Sequence, residues 1–230
     1  MINKADSENI IRRVYNSIKE SVITYQLPPG ERLNIEVLAE QLRVSTTPVR
    51  ESLNRLVAED LIVLVPRMGF FMKSLLESEI RDLYELNHVL LDWSIASIAK
   101  NHVEGTSLGF PEIAMLGDKL LQQDNPSHIY LVRSSSNLFS NLARQSGNSE
   151  IDLRVRNIND RLHYIRVCEC EMQHNPKEQV LPLFQLYRKC MYSELRDALS
   201  AYHENRLKLL PSILRAKNFS SRMVFAQYEA

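Results

Sequence analysis

The stretch from Asn34 to Phe71, "NIEVLAEQLRVSTTPVRESLNRLVAEDLIVLVPRMGFF", constrains the fold more than any other part of this chain. Its first segment, "NIEVLAEQL", has the apolar spacing of a short helix, with Asn34 as its cap and Leu38, Ala39 and Leu42 on one face. A brief turn at Arg43 and Val44 follows, and "VSTTPVRESLNRL" starts another helix with Val49, Leu53 and Leu56 inward. Two short helices joined by so tight a turn form a helix-turn-helix. Next come "LIVLVP" and "GFFMKS", β-rich runs separated by Arg67 and Met68, with Gly69 free to take a positive φ. That pattern predicts a hairpin, and a hairpin placed after a helix-turn-helix makes a wing. Ahead of the motif, Ile10, Val14, Ile18 and Val22 recur at helical spacing and predict an amphipathic helix ending before "LPPG".

The start of "VSTTPVRESLNRL" carries more polar groups than a helix start needs. Pro48 is compatible with a first helical turn, and Ser45 or Thr47 can cap the free backbone N–H groups there. One hydroxyl is enough for that. The surplus, with Thr46, the open N–H groups and Arg50, predicts an anion-binding helix N-terminus suited to phosphate and base edges. Arg43 and Arg50 bracket the helix start, and between Leu61 and Leu76 the cations Arg67 and Lys73 meet no acid. The alternative reading of these residues is a plain capped helix.

Beyond residue 75 the Gly and Pro punctuation thins, and the pattern becomes all helical. Breaks are expected at Gly105 to Pro111, Asn125 to Pro126, Gly147 to Asn148 and Asn175 to Pro176, giving a bundle of roughly six helices. Ile80, Leu83, Tyr84, Leu90, Leu91, Ile95 and Ile98 form the stripe of its first helix. The expected organisation is a winged helix-turn-helix over 8–75, an all-α bundle over 78–217 and a tail over 218–230. At 230 residues and 44% hydrophobic, the chain is long and apolar enough for both cores.

Charge and cysteine content exclude several function classes. The 28 Lys and Arg balance 28 Asp and Glu, so any anion-binding surface must be local. Cys168, Cys170 and Cys190 are too few for a disulfide framework, and Cys168 and Cys170 stand at a spacing that points them apart on a helix, as ordinary thiols. No apolar run approaches the ~18 residues of a membrane span, and no leader pattern opens the chain, so a cytoplasmic protein without membrane contact is expected. Glycine-rich phosphate loops, nucleophile motifs and His–carboxylate sets at ligand spacing do not occur, which argues against the remote alternative of a metal-dependent enzyme.

With these elements in order, the segment from Leu27 to Phe71 resembles, without gaps, the winged-helix DNA-binding domain of the GntR family of transcription regulators: a PG-x-RL turn, an LA-x-x-L helix, a VS-x-TPVRE-x-L recognition helix and a wing closing on Gly. The resemblance implies DNA contacts from Arg43, Ser45, Thr46, Thr47, Pro48 and Arg50 and from the wing tip at Arg67, Met68 and Gly69. Thr46 stands where the family commonly has Arg, which removes a side chain able to read guanine bidentately.

The remainder resembles, more loosely, the FCD effector domain of the FadR-like branch, through "NLFSNLARQSGNSEI" and "YSELRDALSAYHENRL". That likeness implies a divalent metal held by an Asp and three His inside the bundle. Ser136 and Ser140 occupy the first two positions, the third falls near Leu181 or Gln185, and His203 alone persists. Neutral hydroxyls are poor ligands for such metals, so no metal and no other cofactor is expected. Asn87 stands where the branch often has an effector-binding Arg, yet lies on the apolar stripe and aims a polar group inward. The candidate effector pocket comprises Asn87, Arg133, Ser136, Ser140, Gln185 and His203, with Arg133 as an anion clamp provided that it faces inward. The alternative is that Asn87, Ser136, Ser140 and His203 only hydrogen-bond one another or a water. His163, close to Arg161 and Arg166, is expected on a solvated face.

The function these readings imply is a sequence-specific, repressing regulator: a homodimer on a palindromic double-stranded operator, tuned by a small organic effector. The competing expectation is a DNA-binding regulator whose helical domain only dimerises.

Overall fold

The computed structural model describes residues 4–103, 119–120 and 122–217. The expected break at 105–111 and the tail at 218–230 lie outside the described residues. The chain divides into two compact units, with a boundary in the sequence between Leu75 and Leu76.

In the first unit, α1 (Lys4–Ile23) buries Val14, Ile18 and Val22, four residues apart, on one face. The second helix, α2 (Ile35–Leu42), starts at Asn34, whose Oδ1 accepts the backbone N–H groups of Glu36 at 2.9 Å and Val37 at 3.1 Å. It stops at Arg43, which takes the left-handed conformation at φ 54°. Val44 N–H then donates to the Ala39 carbonyl, closing the turn. Ala39 is the buried member of the predicted inward set, with Leu38 and Leu42 half-buried. Helix α3 (Thr46–Ala58) buries Val49, Leu53 and Leu56 against α1. Each such side chain removed from water contributes roughly 1.5–3 kcal/mol.

The wing is the antiparallel pair β2 (Ile62–Val65) and β3 (Gly69–Met72), in register at Val65 and Gly69. A two-residue strand β1 (Arg32–Leu33) adds to β3 and gives the order β1-β3-β2. Two residues are too short to show a period, so β1 was not predicted; tertiary pairing and burial of Leu33 create it.

The second unit is a helical bundle: α4 (Glu77–Val103), α5 (His128–Gln145), α6 (Ser149–Arg161), α7 (His163–Met172), α8 (Lys177–Arg188) and α9 (Tyr192–Ala216). Helix α4 packs on α5, α6 and α9, and α9 also covers α7 and α8. The core runs through Leu91, Ile95, Leu138, Phe139, Leu142, Phe184 and Leu199. The fold is therefore mainly α with a small three-stranded sheet in its first unit, as the patterning predicts. Among the described residues no helix is long and apolar enough to cross a membrane.

Candidate functional site

Ser45 occupies the N-cap of α3 in extended conformation, but its hydroxyl makes no bond to the helix N–H groups, contrary to the sequence expectation of a capping hydroxyl. The reason is local. Pro48 sits at the third helical position, where it removes one of the two N–H groups a cap normally reaches. Ser45, Thr46, Thr47 and Arg50 are all exposed, and no acid lies in the first turn. The positive end of the helix thus faces outward with its hydroxyls uncommitted.

A groove of about 400 Å³ joins this helix to the wing, lined by Arg50 and Asn54 from α3, Arg67, Met68 and Gly69 from the wing tip, and Arg32 from β1. Arg67 takes φ 66° and Gly69 φ 107°, so a positive-φ corner stands on each side of Met68. A Cβ on Gly69 would meet the Arg32 guanidinium at 3.6 Å, so Arg32 lies directly beneath the wing tip. Arg43 is exposed at the turn and Pro48 half-buried at the helix start. Sequence reasoning missed Arg32 and Asn54. Asn54 lies one helical turn beyond Arg50, a spacing that could have flagged it. The reading of Lys73 as a cation without an acid is overturned: its Nζ is 2.6 Å from Asp60 Oδ1, brought near by the fold rather than by sequence.

In the second unit, Asn87 and His203 are both buried, and Asn87 Nδ2 donates to His203 Nε2 at 3.1 Å. His203 Nδ1–H donates to the Leu199 carbonyl at 2.8 Å, which commits both ring nitrogens. Burial first, then the cations Arg166 and Arg206 and the neighbouring His88, hold its pKa down at about 3. Ser136 and Ser140 are half-buried and turn to α6 instead: Asn159 Nδ2 donates to the Ser136 carbonyl at 3.1 Å and to Ser140 Oγ at 3.0 Å.

Behind these residues lies a charged seam that the sequence reading did not find. Arg206 Nε sits 3.1 Å from Glu169 Oε2, both groups fully buried. Tyr84 donates its hydroxyl to Glu169 Oε1 at 2.6 Å, and Arg206 donates to Gln179. Burial pushes the Glu169 carboxyl up to about 7, although Arg206, Tyr84 and Arg166 all pull it down. Arg166, 1% exposed, donates from Nη1 to Asn159 Oδ1 at 2.8 Å and lies 3.5 Å from Ser136 Oγ.

Three expectations fail here. Arg133 is exposed, because α5 turns its neighbours Leu131, Val132, Ser134 and Ser135 inward; it is no interior clamp. Gln185 is exposed, since α8 buries Val180, Leu183 and Phe184, and half-buried Leu181 packs against the apolar core. Gln179 is the α8 residue that reaches the seam. His163 is buried rather than solvated, at the α6–α7 junction, and burial with Arg133 and Arg166 nearby lowers its pKa to about 4. Cys168 and Cys170 are buried and Cys190 exposed.

A divalent metal does not fit these residues. His203 has no free ring nitrogen, the neighbouring Ser and Asn groups are neutral, and among the described residues no three His, Cys, Asp or Glu side chains gather at ligating distance.

An exposed recognition helix with an uncapped N-terminus, a basic groove and a wing define a DNA-binding transcription regulator rather than an enzyme. Residues 10–72 match the model of the bacterial regulatory proteins, gntR family. The Nta operon transcriptional regulator of Aminobacter aminovorans is 31% identical over 84% of this chain and 90% of its own length. The HTH-type transcriptional regulator McbR of Escherichia coli K12 is 28% identical over 90% of this chain and 82% of its own. A GntR transcriptional regulator structure from Rhodococcus sp. RHA1 shares the fold with a TM-score of 0.69 at 18% identity, covering 88% of this chain and 97% of that one. The protein belongs to the GntR family.

Proposed function

We propose that this regulator is a cytoplasmic homodimeric repressor of the FadR-like branch, whose FCD-type helical unit binds a small organic effector and thereby lowers affinity for a palindromic operator. The observation that carries the reading is the polar interior of the helical unit: Asn87 is fully buried on the α4 stripe, and its Oδ1 has no partner among the described residues. A unit needed only for dimerisation would gain stability from apolar side chains at such positions.

Arg43 in the turn, Ser45, Thr46, Thr47, Pro48 and Arg50 at the start of α3, and Arg67, Met68 and Gly69 at the wing tip contact the operator, with Ser45, Thr46 and Thr47 toward phosphate and Arg50 toward a base edge. Leu86, Val89 and Trp93 lie on one exposed face of α4, 45–63% exposed, and suit a two-fold contact between helical units. Half-sites then mirror the protein's symmetry. The effector acts by binding one arrangement of the dimer more tightly than the other.

A thermal-shift screen against carboxylates, sugar acids, acyl-CoA thioesters and divalent metals, with and without chelator, tests this. A stabilising organic compound that also weakens operator binding supports the reading. Intact operator binding with no stabilising compound favours a helical unit that only dimerises.

A further inference from the structure

We propose that the groove between α3 and the wing seats one sugar-phosphate strand of the DNA, and that Arg32 is the residue that holds its phosphate. This rests on the DNA contacts proposed above, extends them to a residue outside the recognition helix and the wing, and is independent of the effector reading.

The elements around the groove require a strand there. With α3 in the major groove, a wing that also touches the duplex must reach across the backbone, because a sugar-phosphate strand is what divides one groove of DNA from the next. The space of about 400 Å³ between α3 and the wing is where that strand passes. Arg32 enters it from β1, and β1 is held firmly. Arg32 is in register with Phe71 of β3, Met72 N–H donates to the Glu31 carbonyl at 2.9 Å, and Gly30 N–H donates to the Met72 carbonyl at 2.9 Å. A guanidinium carried on a paired strand has little backbone freedom left to lose on binding. Its Nε and Nη2 lie 3.6 and 3.7 Å from the position that a Cβ on Gly69 would take. A side chain at 69 would cover those two donors, and glycine leaves them open.

Charge singles out the same place. Lys19 and Arg55 are paired with Glu59, and Lys73 is paired with Asp60. Arg32, Arg50 and Arg67, all exposed and all lining the groove, form no ion pair among the described residues. Glu36 is the one acid on its described lining, so three guanidinium groups face a single carboxylate. Arg50 and Arg67 point the way to the bases and the second groove, from α3 and from the wing tip. Arg32 lies between them, beneath the tip, where only backbone passes. Its planar fork matches two oxygens of a phosphate.

A phosphate contact carries no sequence information, so the probe is a short duplex of mixed sequence. Binding of the full-length protein is measured from about 50 to 200 mM salt. Arg32→Met keeps the reach of the side chain and removes its charge. It should lower affinity roughly tenfold at about 100 mM salt and reduce the slope of log affinity against log salt by about 0.9, for each subunit engaged, with the melting temperature unchanged. Arg32→Lys should keep the slope, and Lys208→Met, which removes a charge from the exposed face of α9, should change neither quantity. Wild-type affinity and slope in Arg32→Met, a slope lowered as far in Arg32→Lys, or an equal loss in Lys208→Met would each overturn the proposal. So would a fall in melting temperature with the slope unchanged, which would make Arg32 a prop for the wing. Should Arg32→Met fail to fold, Arg32→Gln carries the same test. A loss confined to the operator, with the mixed duplex bound as before, would make Arg32 a base reader and overturn the phosphate seat. A wild-type protein that binds no duplex removes the DNA contacts on which the seat rests, whereas an effector screen without a hit leaves the Arg32 result untouched.

Discussion

In the DNA-binding unit the buried cluster from Val14 to Met72 is apolar, and Ser52, whose hydroxyl closes on the Pro48 carbonyl at 2.7 Å, is the one buried polar residue among those described. The helical unit buries Asn87, Asn159, His163, Arg166, Glu169, His203 and Arg206 beside an equally apolar core. The first unit keeps its chemistry on the surface, at the uncapped start of α3 and at the wing, so its interior is free to be dry. The second unit carries polar and charged groups at positions where aliphatic side chains would be more stabilising. That cost in the helical interior is what motivates the proposed effector site there.

The sharpest way to break this contrast is to remove the charge from the seam. At pH 8, Glu169→Leu should leave Arg206 and Arg166 buried without a counter-ion and destabilise the helical unit by about 3–5 kcal/mol in denaturant unfolding. The double variant Glu169→Leu, Arg206→Met should recover most of that loss. A single variant as stable as wild type would mean that the seam is hydrated and the contrast false.

On the surface side, Arg50→Ala should weaken operator binding by about 10- to 100-fold, equivalent to roughly 1–3 kcal/mol, with no change in melting temperature. Equal loss on operator and random DNA would assign Arg50 to phosphate rather than to a base edge.

Acid should affect the helical unit through its two buried imidazoles. Their native pKa values, about 3 for His203 and about 4 for His163, lie below the ordinary 6.5, so the unfolded chain takes up their protons first. The stability they contribute is present above about pH 6.5 and is lost as pH falls toward 4. Glu169, raised to about 7, acts in the opposite sense between about pH 4.5 and 7, because the folded state holds its proton longer. Two imidazoles against one carboxyl leave a net loss of about 1.4 kcal/mol per pH unit on acidification from 6.5 to 4.5. His203→Asn should flatten that slope; an unchanged slope in urea titrations across this range would exclude His203 as its source.

The smallest effect distinguishes the two helix starts of the DNA-binding motif. Asn34→Ala removes two cap hydrogen bonds and should cost about 1 kcal/mol. Ser45→Ala removes none and should cost much less, while still reducing operator affinity. A comparable stability loss at Ser45 would show that its hydroxyl caps α3 and is not reserved for DNA.

Legibility differs between the units for a physical reason. The elements around the wing are written in local signals: the Asn34 cap, the turn at Arg43, the leucine spacing of α3 and the glycine at 69 act within a few residues of themselves. The α4 stripe, with Asn87 inside it, was readable in the same way, since burial follows from a helical period. Arg166, Glu169 and Arg206 gave no such sign. Charged residues on amphipathic helices are ordinarily exposed, and nothing within α7 or α9 shows that the other helix will cover its charged face. The errors at Arg133, Gln185 and His163 have the same origin: each is a question of rotation about a helix axis, which neighbouring helices settle.

The sequence alone determined the helix-turn-helix with its wing, the all-helical second unit and the GntR resemblance, because all of these rest on periods and turn chemistry encoded within short windows. Only the tertiary structure decided what the helical interior contains. It paired Lys73 with Asp60, left Ser45 without a cap bond beside Pro48, and gathered two guanidinium groups around one carboxylate. Contacts between residues far apart in the chain depend on how whole elements are rotated and packed, and no local pattern carries that information.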